Sequence, residues 1–263
     1  MIDLPAYLER IGYKGNLSPG SDLLDAVHLA HATHIPFENL DILLGRAIQV
    51  DLESIQRKLV YGGRGGYCFE HNLILAAALQ KLGFDVTMLA ARVRIGSDQV
   101  RARTHMLLMV DLEGERYVAD VGFGAKGFLK PLPFRPGSVF KRFRWTYRIS
   151  EADGLWVLQS REGGGWIDLY AFTLERQYWI DYKVANHYVS THPDSQFARG
   201  IIVQLPTPEA RYSLINLEYS VDRGKGPETR TLADPAELLL VLEETFGLVF
   251  PPGTTFRFSP EAM

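Results

Sequence analysis

The chain of 263 residues contains a single cysteine, Cys68. One cysteine cannot form an internal disulfide, and it cannot supply the several sulfur ligands of a multi-cysteine metal site. The same composition is typical of a reducing compartment, where protein thiols stay unpaired. We therefore expect a free thiol at Cys68, and its role depends on the residues around it.

The sequence also lacks the usual features of membrane and nucleic-acid-binding proteins. No apolar run approaches the roughly 18 residues that a membrane-spanning helix needs, and residues 1–5 resemble no signal peptide. The formal net charge of −3 provides no general attraction to nucleic acid or to an anionic membrane. Apolar residues at 46% and charged residues at 22% are ordinary for a soluble globular protein. We expect a cytoplasmic protein without a nucleic-acid or membrane partner.

Residues 1–85 show helical periodicity. Helices are predicted over residues 5–11, 21–35, 51–59 and 68–82. In the last of these, one face carries residues at alternating steps of four and three. Its members are Cys68, Asn72, Leu75, Leu79 and Leu82. The thiol is therefore predicted at the first residue of the face that packs inward.

From residue 84 onward the pattern changes to that of β-strands. Strands are predicted over residues 84–95, 104–112, 116–123, 143–149, 155–159 and 166–172, which together suggest an antiparallel sheet or a small barrel. The remaining residues predict strands over 200–205 and 212–221, the second broken near Asn216, and a helix from Asp234-Pro235 to Phe246-Gly247. Composition changes place boundaries near residues 85 and 190.

The residues that precede Cys68 favour a chemical role for its thiol. Residues 61–67 read YGGRGGY, so four glycines and Arg64 lead directly into the predicted helix. A thiol near the positive end of a helix is favoured in its nucleophilic thiolate form. The alternative is a small buried apolar residue, which is a common role of free cysteines.

A thiolate nucleophile requires a base and a third group that orients the base. His105 begins one predicted strand, Asp120 lies in the next, and a turn centred on residues 113–114 joins them. With a two-residue loop, Leu107 faces Asp120, and Asp120 becomes a diagonal neighbour of His105 on the same face of the sheet. A three-residue loop would place the two side chains on opposite faces. Cys68, His105 and Asp120 are the candidate catalytic residues.

Several motifs in order along the chain resemble those of arylamine N-acetyltransferases. They lie at residues 35–40 (IPFENL), 64–70 (RGGYCFE), 104–105 (TH), 120–124 (DVGFG), 172–175 (FTLE) and 190–197. The resemblance covers nearly the whole chain. It implies an α+β fold with a papain- or transglutaminase-like core, composed of an N-terminal helical domain (1–85), a central antiparallel β-barrel (86–190) and a C-terminal α/β lid (191–263). It also implies a Cys-His-Asp triad.

The resemblance implies acetyl transfer from acetyl-CoA to an arylamine or arylhydrazine. Cys68 would accept the acetyl group and release CoA before the acceptor attacks, which is a two-step ping-pong reaction. Acetyl-CoA would be a co-substrate, and no metal is expected. The matched positions place Phe37, Val93 and Phe123 at the acceptor, and Thr104, Gly122, Phe123, Gly124 and Phe197 near CoA. Arg64 is expected to form a buried structural pair with Glu38, with support of the thiolate as its alternative role.

Other interpretations of the same residues are a cysteine hydrolase, a transglutaminase-like enzyme, an amide synthase that acts on a larger acyl chain, and a non-enzymatic binding module. Residues 122–127 (GFGAKG) match a dinucleotide-binding pattern, but Pro131 and Pro133 disfavour the helix that would bind the pyrophosphate. Basic residues cluster at Arg92, Arg94, Arg101 and Arg103 and at residues 141–145. They are predicted to be solvated strand edges, with contact to CoA phosphates as the alternative. The sequence does not indicate an oligomeric state.

Overall fold

The N-terminal part of the chain is helical. In this computed structural model, which describes residues 1–96 and 99–258, the helices there are α1 (Leu4–Arg10), α2 (Ser21–His34), α3 (Leu40–Leu43), α4 (Leu52–Ile55) and α5 (Cys68–Lys81). A π-helical segment, Gln56–Tyr61, continues α4. The four predicted helices are confirmed as α1, α2, α4 with its extension, and α5. The short helix α3 lies outside them.

The middle of the chain forms an antiparallel sheet of eight strands in the described residues. Its strands are β2 (Asp85–Val93), β3 (His105–Leu112), β4 (Glu115–Ala119), β5 (Leu132–Pro133), β6 (Val139–Arg142), β7 (Trp145–Ala152), β8 (Leu155–Glu162) and β9 (Gly165–Phe172). They lie in the order β5-β4-β3-β2-β9-β8-β7-β6. Strand β1 (Phe37–Glu38), in the helical part, belongs to a different sheet.

The hairpin of β3 and β4 has the two-residue loop on which the predicted site depends. Glu113 and Gly114 both have positive φ, 52° and 81°, which is the geometry of tight hairpin loops. Leu112 pairs with Glu115, and the ladder continues to the pair of Leu108 and Ala119. Asp120 therefore follows directly after the ladder, opposite Leu107, and on the same side of the sheet as His105.

The C-terminal part combines a second sheet with three helices in the described residues. Helices α6 (Trp179–Thr191), α7 (Gln196–Arg199) and α8 (Pro235–Phe246) accompany strands β10 (Ile202–Pro206), β11 (Arg211–Ile215), β12 (Glu218–Asp222) and β13 (Pro227–Thr231). The sheet order is β1-β10-β11-β12-β13. The predicted break at Asn216 is confirmed, because this residue turns the chain between β11 and β12 with a φ of 54°. Helix α6 and strand β13 lie outside the predicted elements.

Helix α5 packs its predicted face against the eight-stranded sheet. Leu75 and Leu79 belong to the same buried cluster as Met106, Leu108 and Val110 of β3. A second cluster of buried apolar residues lies within the eight-stranded sheet, and a third lies between β10, β11 and α8. The boundary expected near residue 190 lies inside α6, and the division into three domains stays a prediction. Among the described residues no helix is long and apolar enough to cross a membrane.

Candidate active site

Cys68 is the first residue of α5, and the residues around it determine where the helix begins. Tyr67 is extended, and its backbone N–H donates to the Glu70 carboxylate at 3.0 Å, which caps the helix. The thiol is buried, with Sγ 3.6 Å from the Thr104 carbonyl oxygen. The sulfur therefore lies at the positive end of α5, as the sequence predicts, and next to the start of β3.

His105 and Asp120 form a buried hydrogen-bonded pair behind the thiol. His105 Nε2 lies 2.7 Å from Asp120 Oδ2. Burial alone would lower the pKa of His105, but the charge of Asp120 and this hydrogen bond outweigh burial and raise it to about 10. Burial opposes ionisation of Asp120 as well, yet its pKa is lowered because His105, Asn72 and the Gly122 N–H stabilise the carboxylate. The neighbouring Cys68 side chain also contributes to the raised pKa of His105.

Asn72 connects the nucleophile helix to both strands of the pair. Its Nδ2 donates to Asp120 Oδ1 at 2.9 Å and to the Met106 carbonyl at 2.7 Å, and its Oδ1 accepts from the Val121 N–H at 3.2 Å. Asn72 lies one helical turn after Cys68. The sequence places it only as a member of the buried face, and its polarity on an otherwise apolar stripe is the signal of this role.

Two glycines of the DVGFG motif allow close approaches near the pair. A Cβ on Gly122 would lie 2.7 Å from the Cys68 Cα and 2.8 Å from Asn72 Nδ2, so a side chain there would displace the nucleophile. Gly124 has a φ of 74°, and a Cβ there would lie 2.0 Å from Gln204 Oε1. That Gln204 oxygen accepts from the Ala125 N–H at 3.0 Å. Gly124 thus makes room for a contact with β10.

A cavity of about 1570 Å³ opens at Cys68 and His105. Its walls include the following residues of the predicted acceptor and CoA contacts: Phe37, Val93, Thr104, Gly122, Phe123 and Phe197. The ring of Phe123 meets His105 edge-on, with centroids 4.9 Å apart. Gly124, Arg64 and Glu38 are not among the residues that line the cavity. The structure therefore brings together all but one of the predicted substrate and CoA positions.

The lining of this cavity is basic. It includes seven cationic side chains, Arg101, Lys126, Arg144, Arg161, Arg199, Arg211 and Lys225, against three acidic ones, Glu162, Asp194 and Asp222. Lys126 and Arg211 share Glu162, at 2.6 and 3.6 Å. Arg101 and Arg144 belong to the clusters predicted as solvated strand edges, and both are exposed while also facing the cavity. The wall is positive although the chain carries a net charge of −3.

Comparisons with known proteins identify the family of this chain. A family model described as N-acetyltransferase matches residues 22–253. The arylamine N-acetyltransferase of Escherichia coli K12 is 38% identical over 92% of this chain and 87% of its own length. That of Mycobacterium tuberculosis H37Rv is 39% identical over 94% and 89%. The chain belongs to the arylamine N-acetyltransferase family.

Solved structures of the family have the same fold. The arylamine N-acetyltransferase of Mycobacterium abscessus superposes with a TM-score of 0.91 at 36% identity, covering 95% of this chain and 91% of the other. The Mycobacterium marinum enzyme in complex with CoA has a TM-score of 0.89 at 35% identity, over 93% and 92%. The α+β fold class with its antiparallel barrel is thereby confirmed, and so is an enzyme of the acyltransferase class.

Arg64 belongs to the motif that contains Cys68. Its side chain lies in a buried network of ion pairs outside the cavity. Its guanidinium reaches Glu38 Oε1 at 2.7 Å and Asp41 Oδ1 at 3.2 Å. Lys58 joins the network through Asp41 at 3.3 Å and Glu70 at 2.9 Å. Glu38 is fully buried, and its second oxygen accepts from the Leu40 N–H at 2.7 Å. The expected pair of Arg64 and Glu38 is present and connects the glycine-rich loop to β1.

We expect the Arg64→Ala variant to lose about 3–5 kcal/mol of unfolding free energy, because it leaves the buried Glu38 carboxylate without its cation. Arg64→Lys keeps the charge but not the two-pronged contact, so its loss should be smaller. Urea unfolding followed by tryptophan fluorescence measures both changes. An Arg64→Ala protein as stable as the wild type, but inactive, would instead assign Arg64 to the chemistry.

Proposed function

We propose that this chain transfers the acetyl group of acetyl-CoA to an arylamine or arylhydrazine through an acetyl-cysteine at Cys68. The observation that carries this proposal is the arrangement of a buried thiol at the start of a helix, beside a histidine held 2.7 Å from a buried aspartate, at the mouth of a large cavity. The only cysteine of the chain is thus next to a base and an orienting carboxylate. We also propose a cytoplasmic location, where the thiol stays reduced.

In the first step the Cys68 thiolate attacks the carbonyl carbon of the thioester. With a pKa raised to about 10 by Asp120, His105 is protonated at neutral pH and forms an ion pair with the thiolate. Backbone N–H groups at the start of α5 stabilise the oxyanion. The bond from carbon to the CoA sulfur then breaks, and His105 gives its proton to the departing thiolate, which leaves free CoA and acetyl-Cys68.

In the second step the acceptor nitrogen attacks the acetyl carbonyl. Neutral His105, oriented by Asp120, accepts the proton of the nitrogen as the new C–N bond forms. The bond from carbon to Cys68 Sγ breaks, and the amide product leaves. The thiolate and the protonated His105 are regenerated, so no redox change occurs and all protons balance.

The cavity supports both substrates of this reaction. Phe37, Val93 and Phe123 form an apolar and aromatic wall that suits stacking of an arylamine. Thr104, Gly122 and Phe197 also line the cavity, and we propose that the narrow arm of CoA contacts them near the thiol, while Gly124 shapes the adjoining loop. The basic side chains of the lining complement the phosphates of an anionic thioester donor. The related Mycobacterium marinum structure is of a complex with CoA, which supports the same donor here.

The proposal is tested by separating the two steps. Incubation with acetyl-CoA alone should add one acetyl group to Cys68, as shown by intact-protein and peptide mass spectrometry, and release one equivalent of CoA. Addition of an arylamine should then discharge the acetyl group and start continuous CoA release. Absence of both the adduct and the acceptor-dependent release would contradict the proposal. An adduct that decays equally fast in water alone would indicate a cysteine hydrolase.

A further inference from the structure

Helix α2 contacts the backbone of Asp120 from behind the triad. His28 Nε2 accepts a hydrogen bond from the Asp120 N–H at 3.1 Å, between residues 92 positions apart. Asp120 lies one residue beyond the last pair of β3 and β4, and β5 pairs with β4 only at Tyr117 and Val118. A helix side chain therefore takes the place of a strand partner at this N–H.

The tautomer of His28 follows from its contacts. A ring nitrogen that accepts a hydrogen bond carries no proton, so the proton of neutral His28 is on Nδ1. The Leu129 carbonyl is near enough to affect the pKa of His28, but that N–H has no partner within hydrogen-bond geometry in the described residues. The ring stacks on Phe128 at 5.5 Å and 11°. The clearest polar contact of this fully buried side chain is thus the acceptor that it presents to Asp120.

The side chain and the backbone N–H of Asp120 are held by different groups. In the described part of the chain, Asn72 and the Gly122 N–H bind Oδ1 and His105 binds Oδ2, and the Tyr170 side chain also interacts with the carboxylate. The backbone N–H is held by His28, which comes from a different element. A shift of the peptide at residue 120 would change the distance and angle of the carboxylate to His105.

We propose that His28 is a positioning residue of the triad, whose Nε2 fixes the Asp120 peptide and thereby the approach of the Asp120 carboxylate to His105. This inference rests on the acyl transfer proposed above. His28 is not among the residues that line the cavity, so it acts through Asp120 and not by contact with a substrate. Its contribution should appear in the rate of Cys68 acetylation and not in the binding of the acceptor.

His31 provides a matched control on the same helix. It is also fully buried, and it accepts from the Tyr7 hydroxyl at 2.9 Å and contacts His71 Nδ1 at 2.8 Å. His71 in turn donates to the Pro36 carbonyl at 3.2 Å. None of these hydrogen bonds of His31 and His71 involves Asp120. Loss of His31 should therefore lower stability without changing the alignment of the triad.

The experiment compares His28→Leu, His28→Gln and His31→Leu in single-turnover acetylation by acetyl-CoA, with alkylation of the sole cysteine measured against pH. We expect His28→Leu to acetylate about 10- to 100-fold more slowly, with its alkylation profile moved to higher pH. His28→Gln should recover most of the rate, because a glutamine Oε1 can occupy the position of Nε2. His31→Leu should acetylate at nearly the wild-type rate at a temperature where it is folded.

Three outcomes would overturn the inference. These are a folded His28→Leu within about twofold of the wild type, equal losses in His28→Leu and His28→Gln, and an equal loss in His31→Leu. If His28→Leu does not fold, His28→Asn replaces it, since its shorter side chain cannot reach the Asp120 N–H. Failure of the wild type to form acetyl-Cys68 would refute the proposed function instead, so the two failures are distinguishable.

Discussion

We expect replacement of Cys68 by serine to abolish acetyl-enzyme formation and to lower arylamine acetylation by at least about 10⁴-fold. The reason is that a hydroxyl is far less acidic than a thiol, so the His105–Asp120 pair cannot hold it as an anion. The chain has no second cysteine to act in its place. Intact-protein mass spectrometry after incubation with acetyl-CoA measures the first effect, and acceptor-dependent CoA release measures the second.

The fold of this variant serves as its control. Serine is close to cysteine in size, and the hydrogen bond from Cys68 Sγ to the Thr104 carbonyl is long, at 3.6 Å, so the unfolding midpoint should change little. Cys68→Ala, which removes the polar atom as well, should be equally inactive. Retention of more than about 1% of the wild-type rate by a well-folded Cys68→Ser protein would mean that the thiol is not the acyl carrier.

Asp120→Asn should lower the rate of acetyl transfer by about 10³- to 10⁴-fold. Burial lowers the pKa of His105, and the charge of Asp120 and its hydrogen bond are the largest of the interactions that raise it to about 10. With an uncharged amide at position 120, His105 would be neutral at pH 7, and the ion pair with Cys68 would be lost. The alkylation rate of Cys68 by iodoacetamide near neutral pH should fall accordingly. Asp111→Asn, on the exposed end of β3, is the matched control and should be active.

The same pair makes stability depend on pH. The pKa of His105 rises from an ordinary 6.5 to about 10 on folding, so its stabilisation is complete below pH 6.5 and is lost as the pH rises toward 10. The pKa of Asp120 is lowered from 3.8, so its stabilisation is present above that pH and is lost below it. The unfolding free energy of the wild type should therefore fall between pH 6.5 and 10. The unfolding free energy of Asp120→Asn should fall less over this range. Identical pH dependence of the two unfolding free energies would contradict the pairing of His105 with Asp120.

Local features of the sequence predicted the elements on which the site depends. The turn at Glu113-Gly114 determines the register of the β3–β4 hairpin, because two residues with positive φ allow only one pairing. Asp234 and Pro235 begin α8, where the Asp234 carboxylate accepts from two N–H groups at 2.9 Å, and Gly247 ends it with a φ of 66°. These interactions join residues close in sequence, so the sequence pattern contains them.

Other elements depend on partners that are distant in sequence. Helix α6 presents Ile180 and Val184 to solvent at 56% and 70% exposure, so its apolar residues do not mark a single buried face. Every residue of β13 is exposed, and its sequence lacks the apolar alternation of a strand. It pairs with β12 because the backbone of that strand is available. Sequence periodicity marks a helix or strand only when its apolar residues are the buried ones. It therefore does not predict elements such as α6 and β13.

Taken alone, the sequence determined that Cys68 begins a helix and that the chain resembles one enzyme family. It placed His105 and Asp120 on one face of a hairpin only if the loop has two residues, and the structure has that loop. The tertiary structure decided which groups hold that constellation. Asn72 and His28 both bind Asp120, from 48 and 92 positions away in the sequence. Gly124 makes room for a contact with Gln204 and does not line the cavity. Local backbone preferences are encoded over a few residues, whereas these polar contacts exist only when separate elements pack together.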